Sequence, residues 1–100
     1  MTAEDLARSA ATDAAPPAGL TLTARTLWLA RAGKWEAAHD LCQDIPGIAG
    51  SWIHAYLHRE EGDPSNAAYW YARAGKSMPA ASVSLPDEWL EVAGRLMVDD

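Results

Sequence analysis

Two histidines, His54 and His58, stand four residues apart in "SWIHAYLHREEGD", with Glu61 three residues further on. On a helix this spacing places imidazole, imidazole and carboxylate along one stripe. Two imidazoles so placed can grip zinc, as in zinc-protease helices. Here no glutamate follows the first histidine, so the protease pattern is absent. A third ligand would have to come from His39 or from an acid on another helix. The alternative is structural: a polar cluster of His39, His54 and His58, each ring hydrogen-bonded to a backbone carbonyl, a tyrosine hydroxyl or an acid. An unpaired buried imidazole costs free energy. A helical wheel sets the histidine stripe opposite Ile53, Tyr56 and Trp52, which argues for exposure. The helix is nonetheless apolar nearly all round, which argues for partly buried rings. Rings held neutral would make the fold sensitive to mild acid.

The remaining chemistry is sparse. Cys42 lies on the apolar side of its helix and reads as a buried, inert thiol. A nucleophilic role would need a base such as His39, three residues back. No phosphate-binding loop and no carboxylate pair stands out, so no catalytic residue is assigned, and no metal or cofactor is expected. Trp52, Tyr56 and Arg59 form a second stripe on the His54 helix. An aromatic, aromatic, arginine set is the composition of interface hot spots. The same residues also suit plain packing against the preceding helices.

These side chains must be held by a chain of 100 residues with a net charge of −6, enough for one domain. The acidic balance and the scattered lysines and arginines argue against nucleic acid and against anionic membrane surfaces. No apolar stretch reaches the roughly 20 residues that span a bilayer. The first residues lack the basic start and apolar block of a secretory signal. A single cysteine excludes an internal disulfide and points to a reducing cytoplasm. Phenylalanine is absent and tryptophan occurs five times, so indoles must fill the core, and each buried N–H must find an acceptor.

Apolar spacing and punctuation predict five helices and no strands. Residues 1–18 read as a flexible tail ending in "APPAG"; a short helix over Glu4 to Ala10 fits the pattern, with little to anchor it. Residues 19–100 read as a single helical domain. Leu22, Leu27, Trp28 and Leu29 mark the first helix, stopped at Gly33. The second runs from about Lys34 to Asp44 and ends at Pro46–Gly47. The third covers about Ile48 to Glu61 and stops at Gly62. Asp63 caps the fourth and Pro64 opens it. In that helix Trp70 and Tyr71 read as core and Tyr69 as nearer solvent. Ser84 caps the last, whose stripe is Leu85, Trp89, Val92, Leu96 and Met97.

The two helix pairs overlay with an offset of 29 residues, setting Gly33 on Gly62, Ala38 on Ala67, Cys42 on Tyr71 and Ile45 on Ala74. Repeats of this size belong to helical arrays, in which one pair buries its face against the next. The stretch "EGDPSNAAYWYARAGKSMP" resembles the second half of a tetratricopeptide repeat: Gly62 and Asp63 at the turn, Ala67 at the helix crossing, then Tyr71, Ala74 and Pro79. The resemblance covers about residues 20 to 79. The offset is shorter than that family's usual repeat of about 34, which implies a tight link between pairs. The whole chain is also similar to short bacterial helical proteins carrying "WEAAH", "HAYLHR" and "NAAYWY"-like blocks. The resemblance implies an all-α fold of two stacked antiparallel hairpins with a C-terminal capping helix. It implies a protein or peptide partner held against Trp52, Tyr56 and Arg59, or a second copy of the chain. The positions matching that family's carboxylate-gripping residues carry Thr23, Leu27, Trp52 and Tyr56, so that particular grip is not expected. Ligand or metal binding by the histidine cluster is the competing expectation.

Overall fold

A computed structural model describes residues 1–97; residues 98–100, the end of the expected helical domain, lie outside the described residues. Six helices and no strands make up the described chain: α1 (Ala3–Thr12), α2 (Leu22–Arg31), α3 (Trp35–Cys42), α4 (Gly47–Glu61), α5 (Pro64–Ala74) and α6 (Leu85–Leu96). The fold is all-α. α2 and α3 form one hairpin and α4 and α5 a second; α4 sits centrally, touching α2, α3, α5 and α6.

The turns follow from local chemistry. α2 and α4 end on Gly33 and Gly62, whose φ values of +80° and +86° suit glycine and strain other residues. Each turn closes with the same pair of backbone bonds. Gly33 N–H and Lys34 N–H donate to Ala30 and Leu29 carbonyls, and Gly62 N–H and Asp63 N–H to those of Arg59 and His58. Asp63 then caps α5 by accepting from Asn66 N–H at 3.2 Å, with Pro64 in the first turn. Ser84 caps α6 by accepting from Asp87 N–H at 3.2 Å. The matched positions of the two hairpins share one environment: Ala38, Ala67, Cys42, Tyr71, Ile45 and Ala74 are all buried.

The expectation of an unanchored tail over residues 1–18 is corrected. α1 carries a full capping box between Thr2 and Asp5, and it packs on α2 and α6. Leu6 is completely buried, and Trp28 Nε1–H donates to Ser9 Oγ at 3.0 Å. The anchor is a single leucine and a polar clasp in a helix otherwise made of small and charged residues. Its apolar residues do share one face, but they are few and small, so the pattern alone does not announce an anchor.

Indoles organise the interior as expected. Trp35 Nε1–H donates to the Leu57 carbonyl at 2.7 Å, tying α3 to α4, and Trp89 Nε1–H to the Leu27 carbonyl at 2.9 Å, tying α6 to α2. Arg31 lies over the Trp89 ring at 4.9 Å and Lys76 over Trp52 at 4.4 Å. α6 crosses α1, α2 and α4, so its apolar stripe of Trp89, Val92 and Met97 closes the core on the α2–α4 side.

Candidate functional site

The position of α6 decides what becomes of Trp52, Tyr56 and Arg59. Trp52 and Tyr56 are buried. The Arg59 guanidinium donates to Glu88 Oε1 of α6 at 2.9 Å and to the Val83 carbonyl in the preceding loop. Glu88 in turn accepts from the Tyr71 hydroxyl of α5. Burial and the Glu88 carboxylate push the Tyr71 phenol well above its ordinary range. Within the stripe expected to meet a partner, Arg59 thus meets the chain's own C-terminal helix, and Lys76 of the loop before that helix lies over Trp52. Sequence spacing could not show this, since any helix with a Glu and a Trp at suitable spacing could have covered it.

His39, His54 and His58 do come together. His39 comes from α3, and His54 and His58 from α4. Ring centroids lie 5.0 Å apart for His39–His54, 5.4 Å for His39–His58 and 6.0 Å for His54–His58. Tryptophans flank the cluster on both sides. Trp35 stacks on His39 at 4.8 Å, and Trp70 of α5 stacks on His54 at 4.0 Å. Both competing readings of the histidine stripe are thereby resolved: His54 and His58 are buried, and His39 is half-buried at the rim.

Desolvation is the main cause that lowers the His54 pKa to about 4, with His39 and His58 adding repulsion. A hydrogen bond with the Gly50 backbone works in the opposite direction, and Arg73 of α5 lowers the value further. His54 is therefore neutral at physiological pH. His58 Nδ1 lies 2.7 Å from Glu61 Oε1, and the Asn66 side-chain nitrogen lies 3.5 Å from both ring nitrogens of His58.

These rings floor an open cleft. α4 forms its base, and α3 and α5 its walls. One hollow of about 570 Å³ is lined by His39, Gln43, His54, His58, Asn66 and Trp70. A second, of about 390 Å³, shares Gln43, His54 and Trp70 and extends past Ser51 to Arg73. Arg73 lies over the Trp70 ring at 5.2 Å and donates to the Tyr69 hydroxyl at 3.1 Å. Trp70 is half-buried as a cleft wall, which corrects its expected place in the core. Tyr69 is exposed as expected. Sequence reasoning passed over Trp35, Gln43, Asn66 and Arg73 as site residues. A signal existed for two of them: Trp35 precedes His39, and Tyr69 precedes Arg73, by one helical turn of four residues.

The converging metal-type ligands are a different set from the three histidines. Atoms of His58, Glu61 and Asp63 all lie within 4.8 Å of one another. Cys42 is buried, and its thiol donates to the His39 backbone carbonyl at 3.2 Å rather than to an imidazole. Burial, reinforced by Asp40, pushes the thiol up to about 12, so it is no nucleophile at neutral pH.

No family model matches the chain, and neither a curated protein nor a solved structure matches it. The site must accordingly be read from its own geometry.

Proposed function

We propose that this protein is a small non-catalytic interaction module of the tetratricopeptide kind, and that it takes a protein segment in the cleft between α3 and α5. A reducing cytoplasm suits a chain whose single cysteine is a buried free thiol, and a bacterial source rests on the sequence resemblance alone. The observation that carries the reading is the contrast between two faces. Trp52 and Tyr56 are buried and Arg59 is paired with Glu88 of α6, whereas side chains from three helices open onto the histidine-floored cleft. Its lining suits a segment with an aromatic or apolar anchor beside a carboxylate. Trp70 and the Arg73 guanidinium over its ring line one wall, and Gln43 and Asn66 offer amides. Buried aromatic rings with an arginine at the rim are the composition that concentrates binding energy.

Affinity capture with the wild-type chain, set beside an Arg73→Glu, Gln43→Glu double variant, tests the reading. Both substituted side chains are exposed, so the fold should survive. The partner should be retained by wild type, lost by the double variant, and should shift the indole resonances of Trp35 and Trp70 but not those of Trp28 and Trp89. Equal capture by both forms would defeat the cleft assignment. Sedimentation of the isolated chain separates a second copy from a foreign partner.

A second reading is binding of a small planar ligand by the same histidine cluster. It is favoured by the parallel stack of His54 on Trp70, whose planes meet at 10°. Such a ligand would quench Trp70 emission saturably without any protein partner present.

A further inference from the structure

We propose that His58, Glu61 and Asp63 form a binding site for a divalent first-row transition-metal ion at the rim of the cleft, whose lining shares His58. The three residues bracket the turn between α4 and α5. His58 and Glu61 share the last turn of α4, Gly62 reverses the chain with its left-handed backbone, and Asp63 is the N-cap residue of α5. The Asp63 N–H donates to the His58 carbonyl at 2.9 Å, so the backbone holds the first and last ligand in fixed relation.

One imidazole nitrogen and two carboxylates are a donor set that suits zinc, manganese, cobalt or nickel. With metal–ligand bonds of the usual length, donors around a tetrahedral ion stand ~3.4 Å apart. The three donor atoms already lie within 4.8 Å of one another, and His58 Nδ1 and Glu61 Oε1 are 2.7 Å apart. Small side-chain rotations bring them to that spacing. Asp63 Oδ1 accepts from the Asn66 backbone N–H, which orients this carboxylate.

Two further features favour a cation here, while the opposed dipole ends of α4 and α5 at this turn offset each other. The neighbouring cation, Arg59, is turned away to Glu88 and Val83. Glu61 is exposed and Asp63 half-buried, which leaves an entry path to the buried His58 ring. Ligation through Nδ1 leaves Nε2–H for the Asn66 side chain 3.5 Å away, whose amide oxygen turned inward becomes the acceptor that orients the ring. Three protein ligands leave at least one position open toward the cleft.

Isothermal titration with zinc, and visible absorption on titration with cobalt, test the site. One saturable ion per chain is expected, with the cobalt spectrum of a nitrogen–oxygen ligand set. Asp63→Asn keeps the helix cap, so this variant should fold, and Glu61→Gln removes charge from an exposed side chain. Each should weaken binding by about tenfold or more. Asp40→Asn, an exposed acid on α3, should leave it unchanged. The assignment is overturned by binding weaker than about 1 mM, by wild-type affinity in both ligand variants, or by equal loss in Asp40→Asn.

Discussion

Arg59 of α4 and Glu88 of α6 form an ion pair at 2.9 Å in which the glutamate side chain is 2 % exposed. The second carboxylate oxygen accepts from Tyr71, so one buried acid links α4, α5 and α6. A paired buried charge is costly to orphan: removing one member of such a pair loses about 3–5 kcal/mol. Glu88→Met should therefore lower the urea midpoint sharply, and Arg59→Met should do the same. The double variant Arg59→Met, Glu88→Met should recover much of the loss, because no charge is then left alone. Additive losses in that cycle would show that the two residues act separately.

His54 supplies a pH dependence. Its folded pKa of about 4 lies below the ordinary histidine value of 6.5. Between those two values the unfolded chain binds the proton and the folded chain does not. Stability is thus fully present above pH 6.5, falls as the pH drops, and levels off below about 4. The span is worth roughly 3 kcal/mol. His39, His58 and Arg73 surround the ring and reinforce the direction. Denaturation midpoints in chelator-containing buffer at intervals from pH 7.5 to 4 should decline accordingly, and the His54 ring resonances should titrate far below those of a free imidazole. A midpoint unchanged from pH 7 to 5 would contradict the neutral assignment.

Two helical glycines should respond in opposite ways to alanine. A Cβ at Gly50 of α4 would stand 1.9 Å from the Ile45 carbonyl oxygen, a backbone atom. Gly50→Ala should push the α3–α4 connection out of place, and the backbone shift should cost about 1–3 kcal/mol in spite of alanine's helix propensity. A Cβ at Gly94 of α6 meets nothing within 4 Å. Gly94→Ala should stabilise by about 0.5–1 kcal/mol. Thermal melts of the two variants should move to opposite sides of wild type.

α1 should prove integral to the domain. Leu6 is fully buried against the core, and Leu6→Ala should cost about 2–5 kcal/mol. Ser9→Ala should cost less, on the order of 1 kcal/mol, by leaving the Trp28 indole N–H without its acceptor. Hydrogen exchange should protect the α1 amides alongside those of α2. Rapid exchange throughout α1, with unchanged stability of Leu6→Ala, would restore the view of residues 1–18 as a tail.

Local chemistry made most of the helix boundaries legible. Gly33, Gly62, Asp63, Pro64 and Ser84 act through bonds a few residues long, so their effect can be read wherever they stand. The hairpins were legible too, because Gly33 and Gly62 reverse the chain between α2 and α3 and between α4 and α5 through local bonds. The histidine stripe was half legible: four-residue spacing put His54 and His58 on one face, but His39 joined them only through packing of α3 on α4.

What tertiary structure alone decided was which face each helix covers. Trp52, Tyr56 and Arg59 would suit a partner until the fold buries the two rings and α6 joins Arg59 to a glutamate 29 residues away. Trp70 left the core for the cleft wall because His54, from another helix, offered a parallel ring. Leu6 gained its anchor from α2 and α6 rather than from α1's own pattern. Spacing along a helix specifies direction relative to that helix, while burial depends on which other element arrives there, and that is set by the packing of the whole chain.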